Sequence, residues 1–319
     1  MSELLLELLS EEIPASMQRN AEDELLRLVC YGLKKANLEY DTALAYTTPR
    51  RLTLVVTGLP KKQPDVKEER KGPQTCAPEQ AINGFKSSLP RGAHIEERNL
   101  KGKIFYFAVI HKQGEATRDL LREIIDLALT DMSNSWPKSM RWGEHSVRWA
   151  RPLHSIVCLL NGTVIPVVFG PVKASDRSSG HRFLAPKFFS VKDFADYKAK
   201  LYNAKVMLDA SERCKKIKAE VEALVQAEGL VLSNDSRLLD EVTGLVEWPI
   251  TLMGNIDDEF MVLPPKVLIA AMRGHQKYFS TLNVDGKLAS KFIFISNIEV
   301  ADGSNAIVIG NERVLRARL

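Results

Sequence analysis

The chain has 319 residues, of which 45% are hydrophobic and 26% charged, with a formal net charge of +4. This length suggests roughly two domains, and the composition is that of an ordinary water-soluble protein. No apolar run reaches the roughly 18 residues that a transmembrane helix needs, so no membrane association is expected. The leucine-rich N-terminus carries Glu3 and Glu7 and lacks a basic segment, which excludes a signal peptide. The four cysteines form no C-x-x-C pair, so we expect a reducing, cytoplasmic setting.

The first half of the chain alternates between strand and helix patterns. Apolar or β-branched runs predict strands, and apolar stripes at i, i+4 spacing predict helices. The segment 61–72 is charged throughout, which predicts an exposed connector or a mobile strand edge. The other predicted elements are a strand at 3–9, a helix from Pro14 to about Asn37, a strand at 52–56, a short helix at 78–88, and a hairpin with arms at 96–101 and 103–111.

In that hairpin, Lys101-Gly102 forms the turn and 104–110 is expected to be a buried strand. A helix at 117–132 follows, and its core side is predicted to include Ile124, Ile125 and Leu127. Asn161-Gly162 lies between two apolar runs, a strong signal for a second hairpin over 155–169. The remaining predicted elements are helices at 193–203, 210–228, 236–245 and 266–272, strands at 246–253, 278–283 and 291–298, and a terminal helix at 311–319.

These elements predict an α+β protein with two mixed α/β domains and mostly antiparallel sheets. Residues 1–170 are expected to form an N-terminal domain from two strand-helix-strand modules, and 171–300 a second α+β domain. Residues 301–319 are expected to begin a helix that leads to further domains, because no stop signal follows Leu319.

Basic and aromatic residues are concentrated between Trp136 and His154, where three of the four tryptophans lie. Residues 134–187 contain eight Lys/Arg and two acids, whereas residues 1–29 contain seven acids and two bases. Such a stretch can pack as a partly buried Trp/Arg cluster. It can also hold phosphates with its cations and stack on unpaired bases. Both interpretations stay open.

Other basic residues lie at strand ends and in glycine-containing loops. Arg50 and Arg51 follow a proline at the start of a strand, where they can contact phosphates or form a solvated strand end. His275 is surrounded by cations, but no acid nearby in sequence could orient it as a base. The RNA-binding candidates are Arg50, Arg51, Arg141, Trp142, Arg148, Arg151, His181, Arg182, Arg273, His275 and Lys277.

The sequence contains none of the common catalytic signatures. It has no H-E-x-x-H, no G-x-S-x-G, no G-x-x-x-x-G-K-[ST] and no Cys/His set with metal-ligand spacing. We therefore predict no catalytic residue and no metal site in this chain.

Seven short segments, in this order, resemble the beta subunit of the heterotetrameric bacterial glycyl-tRNA synthetase family. The resemblance extends over the whole chain and corresponds to roughly the first half of a family member. The segments are T-P-R-R-L at 48–52, M-R-W-G at 140–143, R-P-L-H at 151–154, G-H-R-F at 180–183, V-E-W-P at 246–249, R-G-H-Q-K-Y-F at 273–279 and N-E-R-V-L-R-A-R-L at 311–319.

The resemblance implies a partner alpha subunit, in an α2β2 assembly, that holds the site for glycine, ATP and Mg²⁺. It implies that the beta subunit recognises tRNA(Gly) and is required for the ATP-dependent attachment of glycine. It also implies that the second domain is similar in fold to the B3/B4 editing module of the phenylalanyl-tRNA synthetase beta subunit. No cofactor is then expected on this chain itself.

Three functional hypotheses remain after the sequence analysis. The chain can be a non-catalytic, RNA-binding part of the synthetase, with binding that weakens steeply as salt rises. It can be a hydrolytic editing domain acting on mischarged tRNA through His275. It can be a structural scaffold, in which the Arg and Trp side chains are buried and hydrogen-bonded within the fold.

Overall fold

The computed structural model describes residues 2–90, 92–300 and 303–319. These residues form an α+β fold with mostly antiparallel sheets, which confirms the predicted class. No helix among the described residues is long and apolar enough to cross a membrane. The α-helices of the described residues are α1 (Ala15–Lys35), α2 (Glu79–Ser87), α3 (Thr117–Ser135), α4 (Phe194–Asn203), α5 (Ala210–Ala227), α6 (Ser236–Thr243), α7 (Pro265–Ala271) and α8 (Asn305–Arg316).

The first half of the chain contains strands at the predicted places, together with strands that were not predicted, at 42–47, 140–141 and 148–149. The strands of the described residues are β1 (Ser2–Ser10), β2 (Thr42–Thr47), β3 (Arg51–Leu59), β4 (Val66–Gln74), β5 (His94–Leu100), β6 (Lys103–Lys112), β7 (Met140–Arg141), β8 (Arg148–Trp149), β9 (Leu153–Leu160), β10 (Thr163–Val164), β11 (Val168–Phe169), β12 (Val172–Ser175), β13 (Arg177–Ser179), β14 (Phe188–Ser190), β15 (Val231–Leu232), β16 (Ile250–Asn255), β17 (Phe279–Leu282) and β18 (Leu288–Ser296).

The main sheet has β1 at its centre, in the order β11-β12-β9-β1-β3-β2, with β10 on β9. Leu4, Leu6 and Leu8 face the core formed with α1 and α3, and Leu5 faces a smaller core formed with α4. Because both faces are covered, β1 is a nearly continuous leucine run rather than an alternating pattern. Glu7 lies at the centre of this strand and is completely buried.

The second sheet has four antiparallel strands in the order β15-β17-β18-β16. Alternate residues of β18 face opposite cores, Ile293 toward α5 and α6, and Phe292 and Phe294 toward α7 and α8. Helices therefore cover both faces of this sheet. A separate three-stranded sheet, β4-β6-β5, carries α2.

The structure confirms one predicted alternative and corrects other details. Within the charged segment 61–72, residues 66–72 belong to β4, an edge strand of the small sheet, in agreement with the predicted strand edge. Within 104–110 only the last three residues are buried, and Leu127 is 64% exposed. The second arm of the Asn161-Gly162 hairpin stops at Val164, because Pro166 cannot donate to the ladder.

The sheets also differ from the expected strand-helix-strand modules. The β5–β6 hairpin pairs with β4 and not with the main sheet, while β12 joins the main sheet parallel to β9, beyond residue 170. The division at 170 and at 300 remains a prediction. Of the last segment, Ala301 and Asp302 lie outside the described residues, and α8 begins at Asn305.

Candidate nucleic-acid interface

The three tryptophans of the 136–154 stretch pack into the main core. Trp149 is completely buried, and its ring centroid lies 5.2 Å from that of Trp136 and 5.5 Å from that of Phe169. Trp142 is half-buried, 6.4 Å from Phe169. Among the described residues no guanidinium lies over these indoles. The indoles therefore serve packing, and the arginines of this stretch point elsewhere.

Two of those arginines are exposed on a short hairpin. Arg141 and Arg148 are cross-strand partners in β7–β8, next to the pair Met140 and Trp149. Ser139 Oγ accepts a hydrogen bond of 2.9 Å from Arg148 Nε. Two like charges placed directly opposite repel each other, and a bound anion relieves this. The hairpin thus presents two adjacent cations on its strands, and Trp149 anchors it to the core.

Arg51 was a candidate for a phosphate contact, with a solvated strand end as the alternative, but the structure buries it completely. Its Nη1 donates to Glu247, its Nη2 donates to the Ser179 and Gly180 carbonyl oxygens, and its Nε lies 3.4 Å from Glu7 Oε2. The guanidinium is therefore unavailable to a phosphate in this structure.

Two carboxylates share this one guanidinium. Burial raises the pKa of Glu7, although Arg51 and hydrogen bonds from Tyr197 and Ser178 partly offset the rise. Burial acts in the same direction on Glu247, but Arg51 and the hydrogen bond from Thr48 hold the pKa of Glu247 below its ordinary value. The carboxylate of Glu247 thus balances the charge of the Arg51 guanidinium.

Arg50 and Arg182 meet at a pair of acids after β1. Arg182 Nη1 donates to Glu12 and lies 3.3 Å from Glu11 Oε2, while Arg50 Nη2 lies 3.7 Å from Glu11 Oε1. His154 Nε2 also approaches Glu11 Oε1, at 2.7 Å. The acidic N-terminal segment therefore neutralises part of the basic region, which the charge count of 134–187 did not include.

His181 is also buried rather than presented in an exposed loop. Its Nδ1 accepts hydrogen bonds from the Phe183 and Leu184 amides at 3.3 and 3.2 Å. The ring is therefore an acceptor at Nδ1, and burial lowers the pKa of His181, so the neutral form is favoured.

The remaining candidates occupy two other places. Arg151 is half-buried, and its Nη1 donates to the Ala150 carbonyl oxygen at 2.7 Å. Met272–Gln276 forms a π-helical turn, in which Arg273 donates to Asp235, and the following residue, Lys277, places its Nζ 2.9 Å from Glu241 Oε1. These two pairs fasten the turn to α6. His275 is exposed at its tip.

Sequence reasoning missed the acidic half of the buried junction and a second buried arginine. Arg213 donates to the carbonyl oxygens of Thr47, Met207, Leu208 and Thr243. Both features could have been found in the sequence. Glu7 interrupts an apolar strand, and Arg213 lies four residues before Ile217 on the buried stripe of α5. A buried charge requires a partner, so each position predicts one.

Segments far apart in sequence therefore meet at one polar junction. Residues 48–52, 180–183 and 246–249 contribute to the contacts of Arg51 and Glu247, and 151–154 reaches the adjoining Glu11 through His154. Within the described ranges, no group of three or more His, Cys, Asp or Glu side chains could hold a metal ion. Of the predicted candidates, Arg141 and Arg148 are the arginines left exposed without a carboxylate partner among the described residues.

The family model described as the glycyl-tRNA synthetase beta subunit matches residues 4–319. The chain is similar to the glycine–tRNA ligase beta subunit of Rhodospirillum centenum, with 46% identity over all of this chain and 48% of that protein. It is 46% identical to the beta subunit of Paracoccus denitrificans, over all of this chain and 47% of that protein. The chain thus spans about half the length of the curated relatives it matches.

Proposed function

The chain belongs to the glycyl-tRNA synthetase beta subunit family, and from this membership we propose that it supports the ATP-dependent attachment of glycine to tRNA(Gly). It does so by contributing to tRNA recognition and to assembly with an alpha subunit, on which the aminoacylation site lies. ATP and Mg²⁺ act on the alpha subunit, in an α2β2 enzyme of the cytoplasm. The second part of this chain has a B3/B4-like fold.

The observation that carries the RNA-binding proposal is the exposed pair Arg141 and Arg148 on β7–β8. Their neighbours in sequence, the tryptophans, fix the hairpin to the main core. A hairpin that is anchored to the core and presents two guanidinium groups without a carboxylate partner suits phosphate recognition, because its backbone needs little reordering on binding.

The test is a salt titration of tRNA(Gly) binding by the 319-residue chain and by an Arg141→Ala/Arg148→Ala variant. Each lost phosphate contact makes the slope of log K against log salt shallower by about 1, so we expect a change of about 2. Lys215→Ala/Lys218→Ala on α5 removes the same net charge from exposed positions and serves as the matched control. Equal slopes in both variants would contradict the proposal.

The scaffold hypothesis is the second candidate, and the burial of Arg51 and His181 favours it. It attributes these motif residues to packing and leaves RNA recognition to the rest of the subunit or to the assembled enzyme. A folded chain that does not bind tRNA(Gly) at low salt would support this reading over the first.

The editing hypothesis gains less support. Among the described residues no carboxylate hydrogen-bonds to the exposed His275 ring. A groove of about 1,410 Å³, lined mainly by residues 30–41 and 58–64, includes no histidine. The editing hypothesis would be supported if this chain deacylated mischarged tRNA and if the His275→Ala variant lost that activity.

A further inference from the structure

The small sheet β4-β6-β5 with α2 stands apart from both larger sheets. The chain enters and leaves it through a narrow neck, where Lys62 and Ala116 form a β-bridge and Gln63 N donates to the Glu115 carbonyl oxygen at 2.9 Å. Its buried residues Ala108, Val109 and Ile110 belong to none of the four hydrophobic clusters of the described residues. We call residues 64–114 the appended module.

Helix α2 covers one face of this module. A Cβ at Gly72 of β4 would lie 2.5 Å from the Phe85 ring of α2, and Lys86 Nζ lies 5.4 Å from the Tyr106 ring centroid. Tyr106 therefore points to the helix side of β6. Because side chains alternate along a strand, Phe105 and Phe107 point to the opposite face.

The opposite face carries two phenylalanines on the central strand with a cation over each. Lys71 Nζ lies 3.9 Å from the Phe105 ring centroid, and Arg98 Cζ lies 5.0 Å from that of Phe107. Lys71 pairs with Phe107 and Arg98 with Phe105 across the strands, so all four share this face. Both rings are partly exposed, and Lys71 is exposed.

The two cations differ in how firmly they are held. Two carboxylates grip Arg98: Nη1 and Nη2 donate to Glu69 at 2.8 and 3.0 Å, and Nε donates to Glu96 at 3.0 Å. Hydrogen bonds from Arg98 and Lys67 lower the pKa of Glu69 to about 2, so this grip persists near neutral pH. Lys71 forms no ion pair with a described carboxylate and can swing away from Phe105.

We propose that this open face binds unpaired ribonucleotides, with one base stacked on Phe105 and the next on the guanidinium plane of Arg98. Phe107 supports that plane from below, and Lys71 moves from the ring to a phosphate. Cross-strand partners such as Phe105 and Arg98 lie about 5 Å apart, a distance that one flexible nucleotide step can span. Aromatic rings and guanidinium planes are the surfaces on which proteins stack unpaired bases.

The chemistry of the face favours nucleotides over an apolar protein segment. Each exposed ring has a cation beside it, and the carboxylates of Glu69 and Glu96 are already occupied by Arg98. An apolar helix would have to desolvate Lys71 and Arg98, whereas a nucleotide satisfies both with its base and its phosphate. That the unpaired nucleotides come from tRNA rests on the proposed function; the stacking itself does not.

The test is the anisotropy of a labelled octauridylate with the 319-residue chain at low salt. Phe105→Leu removes a stacking ring, and Arg98→Lys keeps the charge but removes the plane; we expect each to weaken binding about tenfold. Tyr106→Leu, on the helix face of the same strand, should bind like the unaltered chain. A duplex of the same length should bind more weakly, because its bases are not available.

Absence of octauridylate binding by the unaltered chain would overturn the proposal, as would unaltered binding in both Phe105→Leu and Arg98→Lys. If a variant does not fold, photocrosslinking of 4-thiouridine RNA to the unaltered chain decides: crosslinks on 94–107 support the site, and crosslinks only elsewhere overturn it. Loss of octauridylate binding in Arg141→Ala/Arg148→Ala alone would place the RNA on β7–β8 instead. Octauridylate binding without tRNA(Gly) binding would leave this site standing while the proposed function fails.

Discussion

Arginine has two different roles in this chain, and burial separates them. Arg51 and Arg213 are completely buried and donate to carboxylates or carbonyl oxygens, whereas Arg141 and Arg148 are exposed. The residue type and its immediate neighbours do not distinguish these roles. Arg51 follows T-T-P-R and Arg141 follows P-K-S-M, and neither segment shows which arginine is buried. The distinction comes from partners that lie far away in sequence, such as Glu247 for Arg51 and the Thr47 carbonyl oxygen for Arg213.

Glu247→Gln is expected to lower the free energy of unfolding by about 3–5 kcal/mol, because it leaves the buried charge of Arg51 with less compensation. The measurement is urea denaturation at pH 7. Glu212→Gln, at the exposed ion pair with Lys198, should cost about 1 kcal/mol or less.

The same variant has a defined pH dependence. Arg51 holds the folded-state pKa of Glu247 below its ordinary value of 4.5. The stability that ionised Glu247 contributes is therefore fully present above the pKa that Glu247 has in the unfolded state. That contribution is lost as the pH falls through the lowered folded-state pKa. The difference between the unaltered chain and Glu247→Gln should therefore narrow in acid; a constant difference down to the acid transition would contradict this assignment.

At the scale of single elements, the sequence was sufficient to predict an element when the residues within that element determine its structure. The long amphipathic helices, the leucine-rich β1 and the turn at Lys101-Gly102 were all predicted from residues within the element. Predictions of element bounds were wrong where a contact from another segment of the chain determines where the element begins. The strand expected from 246 begins only at Ile250, because the Glu247 and Trp248 amides donate to the Asn297 side chain instead of a ladder.

The neck of the appended module depends on a glycine. A Cβ at Gly114 would lie 1.7 Å from the Gln63 carbonyl oxygen, so Gly114→Ala requires the two neck segments to separate. We expect a cost of about 1–3 kcal/mol, seen in hydrogen exchange as faster exchange in 64–114 with little change in β1 and β9. Gly84→Ala in α2 meets no atom within 4 Å and should stabilise its helix by about 1 kcal/mol. Equal protection of the module in both variants would show that the neck tolerates a side chain.

At the scale of the whole molecule, polar contacts join the main sheet to the second one. Arg51 and Glu247 are 196 residues apart, Gln18 Nε2 donates to the Gly244 carbonyl oxygen, and Arg213 reaches the Thr47 carbonyl oxygen. Composition and periodicity predicted the fold class and most elements, but no local pattern encodes partners at such separations. The candidate site shows the same limit: its exposed arginines were predicted, and the burial of Arg51 and His181 was not.

Arg213→Met tests this joint without changing the side-chain length greatly. It removes the donors for four carbonyl oxygens, and buried unsatisfied groups cost about 1–3 kcal/mol each before water compensates. We expect the free energy of unfolding to fall by about 3 kcal/mol and hydrogen exchange to rise in β3 and β18 together. Arg237→Met, exposed on α6, should leave both unchanged. A rise confined to β18 would mean that the two sheets unfold independently.

The β-bridge between Lys62 and Ala116 brings the entrance and the exit of the appended module side by side. A genetic insertion or deletion between these two positions therefore leaves the path of the surrounding backbone almost unaltered, since a short turn can close the gap. The module can therefore be gained, lost or replaced by another sequence while the main sheet keeps the same connectivity. A chimera in which another domain is inserted between these two positions should keep the fold of the main sheet.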